Sequence, residues 1–534
     1  AKEKFGGQSF NDAIRSCPDL LETIVRIIIR FREGAVGVTA DIRAFFNRVY
    51  IPKHQSNYLR YVWFEDGKME RIKHYRMLCH IFGSVDAQAA SITARNQALW
   101  DALGIGLMSP QEVDRCIKEF YSDDYLGSFD QEEEAVKIAR KLTKALALGG
   151  FELAKFKSNR TWIMEQLSEC KELKDTAVAP PKCDEDEIET ATIASVDETT
   201  LGLGWNLGED TLFILPPSEA PNRRMTKRVI LSWLMSVFDP MGWASPFLLG
   251  LKLLMQQFSN AGRSIMWDED IPEEIQSQAE MMIQSLRHLS SISIPRWYGM
   301  GTLSRIVEVS LVVFVDGSDR AYGACIYTRL VDEHGNIATA LIMAKNRVHP
   351  AKQRLTIPRS ELAGALVGAK LANLVVRECN LKPDEVYYYT DSQSTLKYLR
   401  NTTRRFQIFV SNRCNEIRNL TKLENWNYVA SKENPSDIIT RPQLLKEDVT
   451  FSELSLWFRG PDFLRLPKNE WPRPAGVVGD IKETDEEIVR DRYVFATIES
   501  SEGARANFYE MCVKAPTYEN LIKRAAWMRR FLEF

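Results

Sequence analysis

No apolar run among the chain's 534 residues reaches the ~18–20 residues that a membrane-crossing helix needs. Ile27-Ile28-Ile29 and Phe247-Leu248-Leu249 are too short, and charge or chain breakers flank them. There is no signal-peptide pattern and no initiator methionine. A start at Ala1 is expected of a piece of a longer polyprotein, or of a chain lacking its N-terminus. Cysteine is scattered: the nine cysteines, at positions such as Cys17, Cys79, Cys325 and Cys512, form no CxxC pair, and the six histidines do not cluster with them. That argues against a zinc site, and reduced thiols of a cytosolic or nuclear protein are the default. An excess of charge is missing too. Lys and Arg number 69 against 72 Asp and Glu, a net charge of −3, so any attraction to nucleic acid is left to local patches. The candidates are Arg223-Arg224 with Lys227-Arg228, Arg404-Arg405, and Lys523-Arg524 with Arg529-Arg530; each alone is more commonly a solvated face. No fixed-period repeat is present.

What is there is an ordinary globular composition, 45% hydrophobic and 26% charged, long enough for about three or four domains. The spacing of Leu20, Leu21, Ile24, Val25 and Ile28 predicts a helix from Ser16, its cap, to about residue 33, with Pro18 in the first turn and Gly34 as the stop. Val36, Val38 and Ala40 alternate with Gly37, Thr39 and Asp41, a half-buried strand with Asp41 on the other face. Residues 84–104 read as an alanine-rich helix, 112–130 as strand, turn and strand, and 131–149 as an amphipathic helix. A composition break from Thr176 to Glu198 reads as an exposed loop. Residues 226–260 read as two apolar helices hinged at Phe238-Asp239-Pro240-Met241-Gly242. From 305 to 445 the pattern is β-rich, then a long helix, then a strand; the tail ends in a helix from Tyr518 to Leu532.

The most informative segment is Phe120-Tyr121-Ser122-Asp123-Asp124-Tyr125-Leu126. Two adjacent acids inside an apolar stretch repel each other and resist burial. A turn holding them at a cleft, neutralised by a divalent cation, makes chemical sense; an exposed hairpin is the plain alternative. Asp41 lies 82 residues earlier, and a strand and a helix suffice to bring it to the same sheet. Three such carboxylates would offer hard oxygen ligands to Mg²⁺ beside a triphosphate and a primer 3′-oxygen.

A second set of acids follows. Leu311-Val312-Val313-Phe314-Val315-Asp316 is a continuous apolar run ending in an acid, read as a central strand. Thr356-Ile357-Pro358-Arg359-Ser360-Glu361-Leu362 opens a helix. Tyr387-Tyr388-Tyr389-Thr390-Asp391 is another apolar strand tipped by an acid. Asn434-Pro435-Ser436-Asp437 opens another helix, with Asn434 as cap. Singly, Glu361 and Asp437 suit helix N-termini, and Asp316 and Asp391 suit turns. The loop Asp316-Gly317-Ser318 does not make an aspartic protease: the residue order is wrong and no second copy exists.

Together these residues resemble a reverse transcriptase with ribonuclease H, of the BEL/Pao group of LTR retrotransposons. Lys4-Phe5-Gly6-Gly7-Gln8-Ser9-Phe10-Asn11-Asp12 looks like the family's fingers segment. Thr39-Ala40-Asp41 and Tyr121-Ser122-Asp123-Asp124 are similar to its catalytic motifs. Gly149-Gly150-Phe151-Glu152-Leu153-Ala154-Lys155 with Ser158-Asn159 is similar to the following palm motif, and Leu201-Gly202-Leu203-Gly204-Trp205 to the primer grip. Thr226-Lys227-Arg228 to Gly242 resembles its thumb, and Leu456-Trp457 with Gly460-Pro461-Asp462-Phe463-Leu464 its approach to integrase.

The resemblance implies an α/β multidomain fold: partial fingers and palm over 1–215, thumb and connection over 216–304, an RNase H-like mixed sheet over 305–445, and a linker towards integrase over 446–534. It implies that Asp41, Asp123 and Asp124 hold one pair of Mg²⁺ ions, with Mn²⁺ as a substitute. Asp316, Glu361, Asp391 and Asp437 would hold another pair. Phe46 would crowd a 2′-hydroxyl, Phe82 and Gly83 would floor the nucleotide pocket, and Lys155 or Lys157 would lie near the triphosphate. Implied partners are an RNA template, a tRNA primer, RNA–DNA hybrid, deoxynucleoside triphosphates, and the integrase and Gag of the same element, in a cytoplasmic virus-like particle or the nucleus. The chain departs from the family at Gln88, where a proline is usual. Tyr428 and Lys432 stand where a histidine often precedes the last acid. The basic fingers residues that clasp the triphosphate would precede Ala1. A domesticated protein that binds nucleic acid or assembles without polymerising is the alternative reading.

Overall fold

The structure is a computed structural model that describes residues 2, 4–15, 17–65, 71–168, 197–217, 224–260, 265–299, 303–351, 354–445, 454–472, 481, 485–489 and 522. The first sheet has four antiparallel strands, in the order Phe120–Tyr121, Asp124–Phe129, Val36–Ile42, Leu153–Ser158. Its central strand is buried on both faces rather than half-buried as the alternation predicts: Gly37 and Thr39 are buried as well as Val36, Val38 and Ala40, because Trp205 and Arg296 cover the second face at Gly37, and Asp41 alone is half-exposed near the far end. Two helices, Ala87–Gly104 and Glu132–Leu148, pack beneath it. Ile92, Leu99 and Ala102 from the first and Leu142, Ala145 and Leu146 from the second join Val38, Ala40 and Tyr125 in one core. This is the arrangement expected of a palm.

Two boundaries differ from expectation. The first helix spans only Ile24–Phe31, because Asp19 accepts the Leu21 N–H at 3.0 Å and Thr23 is extended, a local bond that competes with helix initiation. Leu20 is therefore left exposed, Pro18 lies outside the helix, and the cap at Ser16 lies outside the described residues. Residues 112–118, expected as strand, belong to the helix Pro110–Lys118. A capping box drives this: the Ser109 hydroxyl accepts from the Glu112 N–H, and the Glu112 carboxylate accepts from the Ser109 N–H. Most of the Thr176–Glu198 break, and all but one residue of the helix expected from Tyr518 to Leu532, also lie outside the described residues.

A second antiparallel sheet runs Ser293–Pro295, Thr211–Ile214, Leu203–Asn206, Asp197–Thr200. Two helices, Lys227–Ser236 and Ser245–Asn260, flank the predicted hinge. Asp239 accepts the N–H groups of Trp243 and Ala244, both at 2.8 Å, which orients the start of the second helix.

The third sheet has five strands in the order Ile337–Val348, Ala321–Asp332, Ile306–Gly317, Glu385–Thr390, Trp426–Tyr428. The first three are antiparallel neighbours, and the last two run parallel to Ile306–Gly317. The helix Ile357–Glu378 covers it. This is the mixed sheet expected of an RNase H-like domain. Residues 454–472, expected within a linker, instead pack on this sheet. The Phe463 ring lies 5.3 Å from Tyr389 and 6.2 Å from Phe314, and the Tyr327 hydroxyl donates to the Trp457 carbonyl at 2.6 Å. Four buried aromatic or aliphatic side chains, Trp457, Phe458, Phe463 and Leu464, give the segment an apolar face that a free linker would expose. A separate compact unit joins Arg404–Gln407 with Thr484–Phe534, within which Phe406 pairs with Ile488.

Candidate active sites

Asp41 and Asp124 are direct cross-strand partners at the end of the first sheet, and like charges in that relation are destabilising on their own. Tyr121 pairs with Asp124, so Ser122 and Asp123 form a two-residue turn. The Asp123 carbonyl accepts the Ile42 N–H at 3.0 Å, which ties the turn to the strand carrying Asp41. The three expected carboxylates are thus brought together. Burial, then the charges of Asp123 and Asp41, raise the pKa of Asp124 to about 6. The negative charge is partly answered by Lys155, whose Nζ lies 2.7 Å from Asp41 Oδ2; that bond and the charge of Asp41 raise the Lys155 pKa. Lys157 pairs with Thr39, two positions back along the central strand from Asp41. Phe46 meets Phe82 edge to face at 5.0 Å. Phe82 is exposed, and the Gly83 carbonyl accepts from Asn11 Nδ2 at 2.9 Å.

The second set gathers at one edge of the mixed sheet. Val315 and Thr390 are partners in the parallel pair, so Asp316 and Asp391 leave adjacent strands side by side. Glu361 reaches them because the helix start lies directly on the strand end. A Cβ on Gly317 would stand 2.3 Å from the Glu361 amide nitrogen, and one on Gly364 would stand 2.4 Å from the Asp316 carbonyl oxygen. Only glycine permits that approach. Asp437 comes in on the short helix Ser436–Thr440, whose start is set by the Asn434 side chain accepting the Ser436 N–H at 3.2 Å. Burial raises the pKa of Asp316 to about 6, opposed by the Thr440 hydrogen bond and helped by Asp391 and Asp437. Burial raises Glu361 to about 7, opposed by the Ser392 hydrogen bond and helped by Asp391 and Asp316. Burial and Asp391 raise Asp437 as well, against Arg441.

Each acid has meanwhile taken a donor from the protein. The Ser392 hydroxyl bonds Glu361 and the Thr440 hydroxyl bonds Asp316. Ser431 Oγ donates to Asp391 Oδ2 at 2.6 Å, and Asn434 Nδ2 to Asp391 Oδ1 at 3.3 Å. Arg441 Nη2 lies 2.9 Å from Asp437 Oδ1. With these bonds in place, no three His, Cys, Asp or Glu side chains among the described residues converge closely enough to hold a metal ion. The donor chemistry nevertheless fits Mg²⁺, which takes hard oxygen ligands: both clusters hold carboxylates whose pKa values are raised, by burial first and by neighbouring carboxylates second. Binding would require the carboxylates to turn from their hydroxyl and ammonium partners.

Sequence reading missed these partners, because hydroxyl residues carry no charge pattern. It also missed Arg95, which donates to the Ser122 carbonyl at 2.6 Å; its only sequence signal was a lone cation on an alanine-rich helix face. In one expected basic patch the described arginines are paired with acids, and Arg223 lies outside the described residues. Arg224 pairs with Asp270, Arg228 Nε lies 2.7 Å from Asp268 Oδ1, and Lys227 sits over the Trp267 ring at 4.7 Å.

Residues 226–392 match the family model described as Pao retrotransposon-like RNaseH-like domain. That match supports the resemblance to a BEL/Pao-type Pol region drawn from the motifs. The chain is also similar to a solved structure of the foamy viral protease-reverse transcriptase dRH in complex with ds DNA. The two are 15% identical, with a TM-score of 0.47, over 79% of this chain and 61% of that one. A second solved structure, the foamy viral protease-reverse transcriptase in complex with RNA/DNA hybrid, is 15% identical with a TM-score of 0.42, over 80% of this chain and 48% of that one. The chain therefore spans less than two thirds of either viral chain. No curated protein sequence matches it.

Proposed function

We propose that this chain is an RNA- and DNA-directed DNA polymerase with ribonuclease H activity, copying retrotransposon RNA into DNA and degrading the RNA of the resulting hybrid. The observation that carries this reading is that two separate sets of carboxylates each gather at a sheet edge, where their mutual repulsion has no structural use. Mg²⁺ ions bound there would activate the attacking oxygen and stabilise the leaving one.

The chain's own residues do the rest. Asp41, Asp123 and Asp124 hold the ions of the first site. Lys155, freed from Asp41, turns its ammonium to the triphosphate, and the Phe46–Phe82 edge shapes the sugar pocket against a 2′-hydroxyl. Asp316, Glu361, Asp391 and Asp437 hold the ions of the second site. Ser392, Thr440, Ser431 and Asn434 hold those carboxylates by hydrogen bonds in the metal-free chain, and the carboxylates would have to leave those partners to take up Mg²⁺. The partners that fit are an RNA template, a tRNA primer, RNA–DNA hybrid and deoxynucleotides, with the integrase and Gag of the same element in a cytoplasmic particle.

The test uses a primed RNA template, deoxynucleotides and Mg²⁺ with the full chain. Asp123→Ala should lower primer extension by about 10³-fold and leave RNA cleavage intact; Asp391→Ala should do the reverse. An unaltered chain that binds hybrid but neither extends nor cleaves would overturn the enzyme reading in favour of a retained binding role.

A further inference from the structure

We propose that Arg95 is a positioning residue for the Asp123–Asp124 turn: from behind the turn it fixes the Ser122 carbonyl, and with it the direction in which the two carboxylates face their ions. The proposal rests on the polymerase reading above.

The helix Ala87–Gly104 buries Ala87, Ala89, Ser91, Ile92, Arg95, Ala98, Leu99 and Ala102. All but one of these are small or apolar, and the exception is a guanidinium only 3% exposed. Removing such an ion from water costs several kcal/mol, so a face built only for packing would carry an aliphatic side chain there. Arg95 Nη1 donates to the Ser122 carbonyl at 2.6 Å, and its Nε and Nη2 donate to Asn96 Oδ1 at 3.2 and 2.9 Å. Its guanidinium carbon lies 4.5 Å from the centre of the Phe120 ring. Burial lowers its pKa to about 10, still charged at neutral pH, with Asp123 nearby acting to raise it.

The turn needs this support. Ser122 has φ of 57°, a left-handed conformation that is costly for a residue with a side chain. Ser122 is also buried, so its carbonyl requires a protein donor. Both peptides of the turn are thus held by donors outside it: the Ser122 carbonyl by Arg95, and the Asp123 carbonyl by the Ile42 N–H. Without the first grip the peptide between Ser122 and Asp123 is free to rotate, and the Asp123 carboxylate swings with it.

The experiment compares Arg95→Lys and Arg95→Met with the unaltered chain and with Asp123→Asn. Primer extension and RNA cleavage are followed in the same preparations across a Mg²⁺ titration. Mn²⁺ binding to the free protein is followed by electron paramagnetic resonance. Arg95→Met should lower the extension kcat by about 10²-fold, the cost of misplacing a reacting group by about 1 Å. It should also raise the Mg²⁺ concentration for half-maximal extension, leave the KM for primed template unchanged, and leave RNA cleavage at its original rate. Arg95→Lys, which restores one donor without the planar fork, should recover part of the loss. The proposal is overturned if Arg95→Met extends primers with the original Mg²⁺ dependence, or if extension and RNA cleavage fall together, since that marks a general loss of fold. An unaltered chain that does not extend primers sinks the polymerase reading instead. The Mn²⁺ arm then decides Arg95 alone: weaker binding in Arg95→Met, matching Asp123→Asn, supports it, and unchanged binding refutes it.

Discussion

Glu361 has the carboxyl whose protonation most directly reports an ion in its site. Folded and metal-free, it ionises only near pH 7, against its ordinary 4.5, because of burial and the charges of Asp391 and Asp316. The sign follows from linkage: a raised folded pKa means that the group's contribution to stability is full below about 4.5 and is lost as pH rises to about 7. Glu361→Gln removes that loss. The melting temperature of the metal-free variant should therefore gain on the unaltered chain as pH rises from 4.5 to 7, and added Mg²⁺ should close the gap by stabilising the ionised carboxylate. A gap that stays constant across this range, measured by thermal melts, would show that the folded chain does not raise the Glu361 pKa. At this scale Asp316 and Asp391 stand out as acids at the tips of apolar strands, and Asp123 with Asp124 as a pair inside an apolar stretch, because an acid there violates the local pattern; Glu361 and Asp437 suit ordinary helix starts and were drawn in by the family resemblance. Ser392, Thr440 and Ser431 were not legible, since a hydroxyl fits a loop, a cap or a core equally well.

Elements were legible where a pattern was long and undisturbed. The strand Val36–Ile42, the helices Ala87–Gly104 and Glu132–Leu148, and the hinge between Lys227–Ser236 and Ser245–Asn260 all follow from periodicity and breakers. Boundaries failed where a single side chain competed for backbone groups, as Asp19 and Ser109 did. The close approach of helix Ile357–Glu378 to the strand carrying Asp316 is an element-scale feature with a testable consequence. Gly364→Ala would press a methyl against the Asp316 carbonyl oxygen, 2.4 Å away. Overpacking of this kind costs about 1–3 kcal/mol. The helix must retreat, taking Glu361 with it, so RNA cleavage should fall sharply in a timed hybrid-degradation assay while primer extension is kept. Equal rates of cleavage in the two proteins would mean that the helix position does not set the site.

At the scale of the whole molecule, the first sheet and the mixed sheet are joined through residues 26–34. Arg32, fully buried, donates to the carbonyls of Arg296, Leu341 and Pro295 at 3.1, 2.7 and 3.0 Å, and its guanidinium carbon lies 4.4 Å from the Tyr298 ring. Arg30 and Arg26 reach Glu378 at 3.4 and 3.2 Å, and Glu33 accepts the Asn380 N–H at 2.6 Å. Arg296 in turn donates to the carbonyls of Phe31, Gly34 and Ala35 and pairs with Asp210. Arg32→Met would remove the Arg32 donor from two buried carbonyls, those of Arg296 and Leu341, and from the part-buried Pro295 carbonyl; each buried donor lost costs about 1–3 kcal/mol. Calorimetry should show the transition in which the two sheets of the unaltered chain unfold together lowered and split in two, as the sheets lose their coupling. One cooperative transition at the original temperature would show that the junction is carried by apolar packing instead.

The sequence by itself determined which acids stand against the apolar pattern, in what order, and on strands or helices of what kind. Those are short-range properties, set by side-chain type and the two backbone periods. Only the tertiary structure decided that Asp41 faces Asp124 across a ladder, that Arg95 stands behind their turn, that Gly317 and Gly364 let Glu361 reach Asp316, and that one buried arginine joins two sheets. These contacts link residues far apart in the chain, and they exist only because burying the cores leaves each of those polar groups a single place to find its partner.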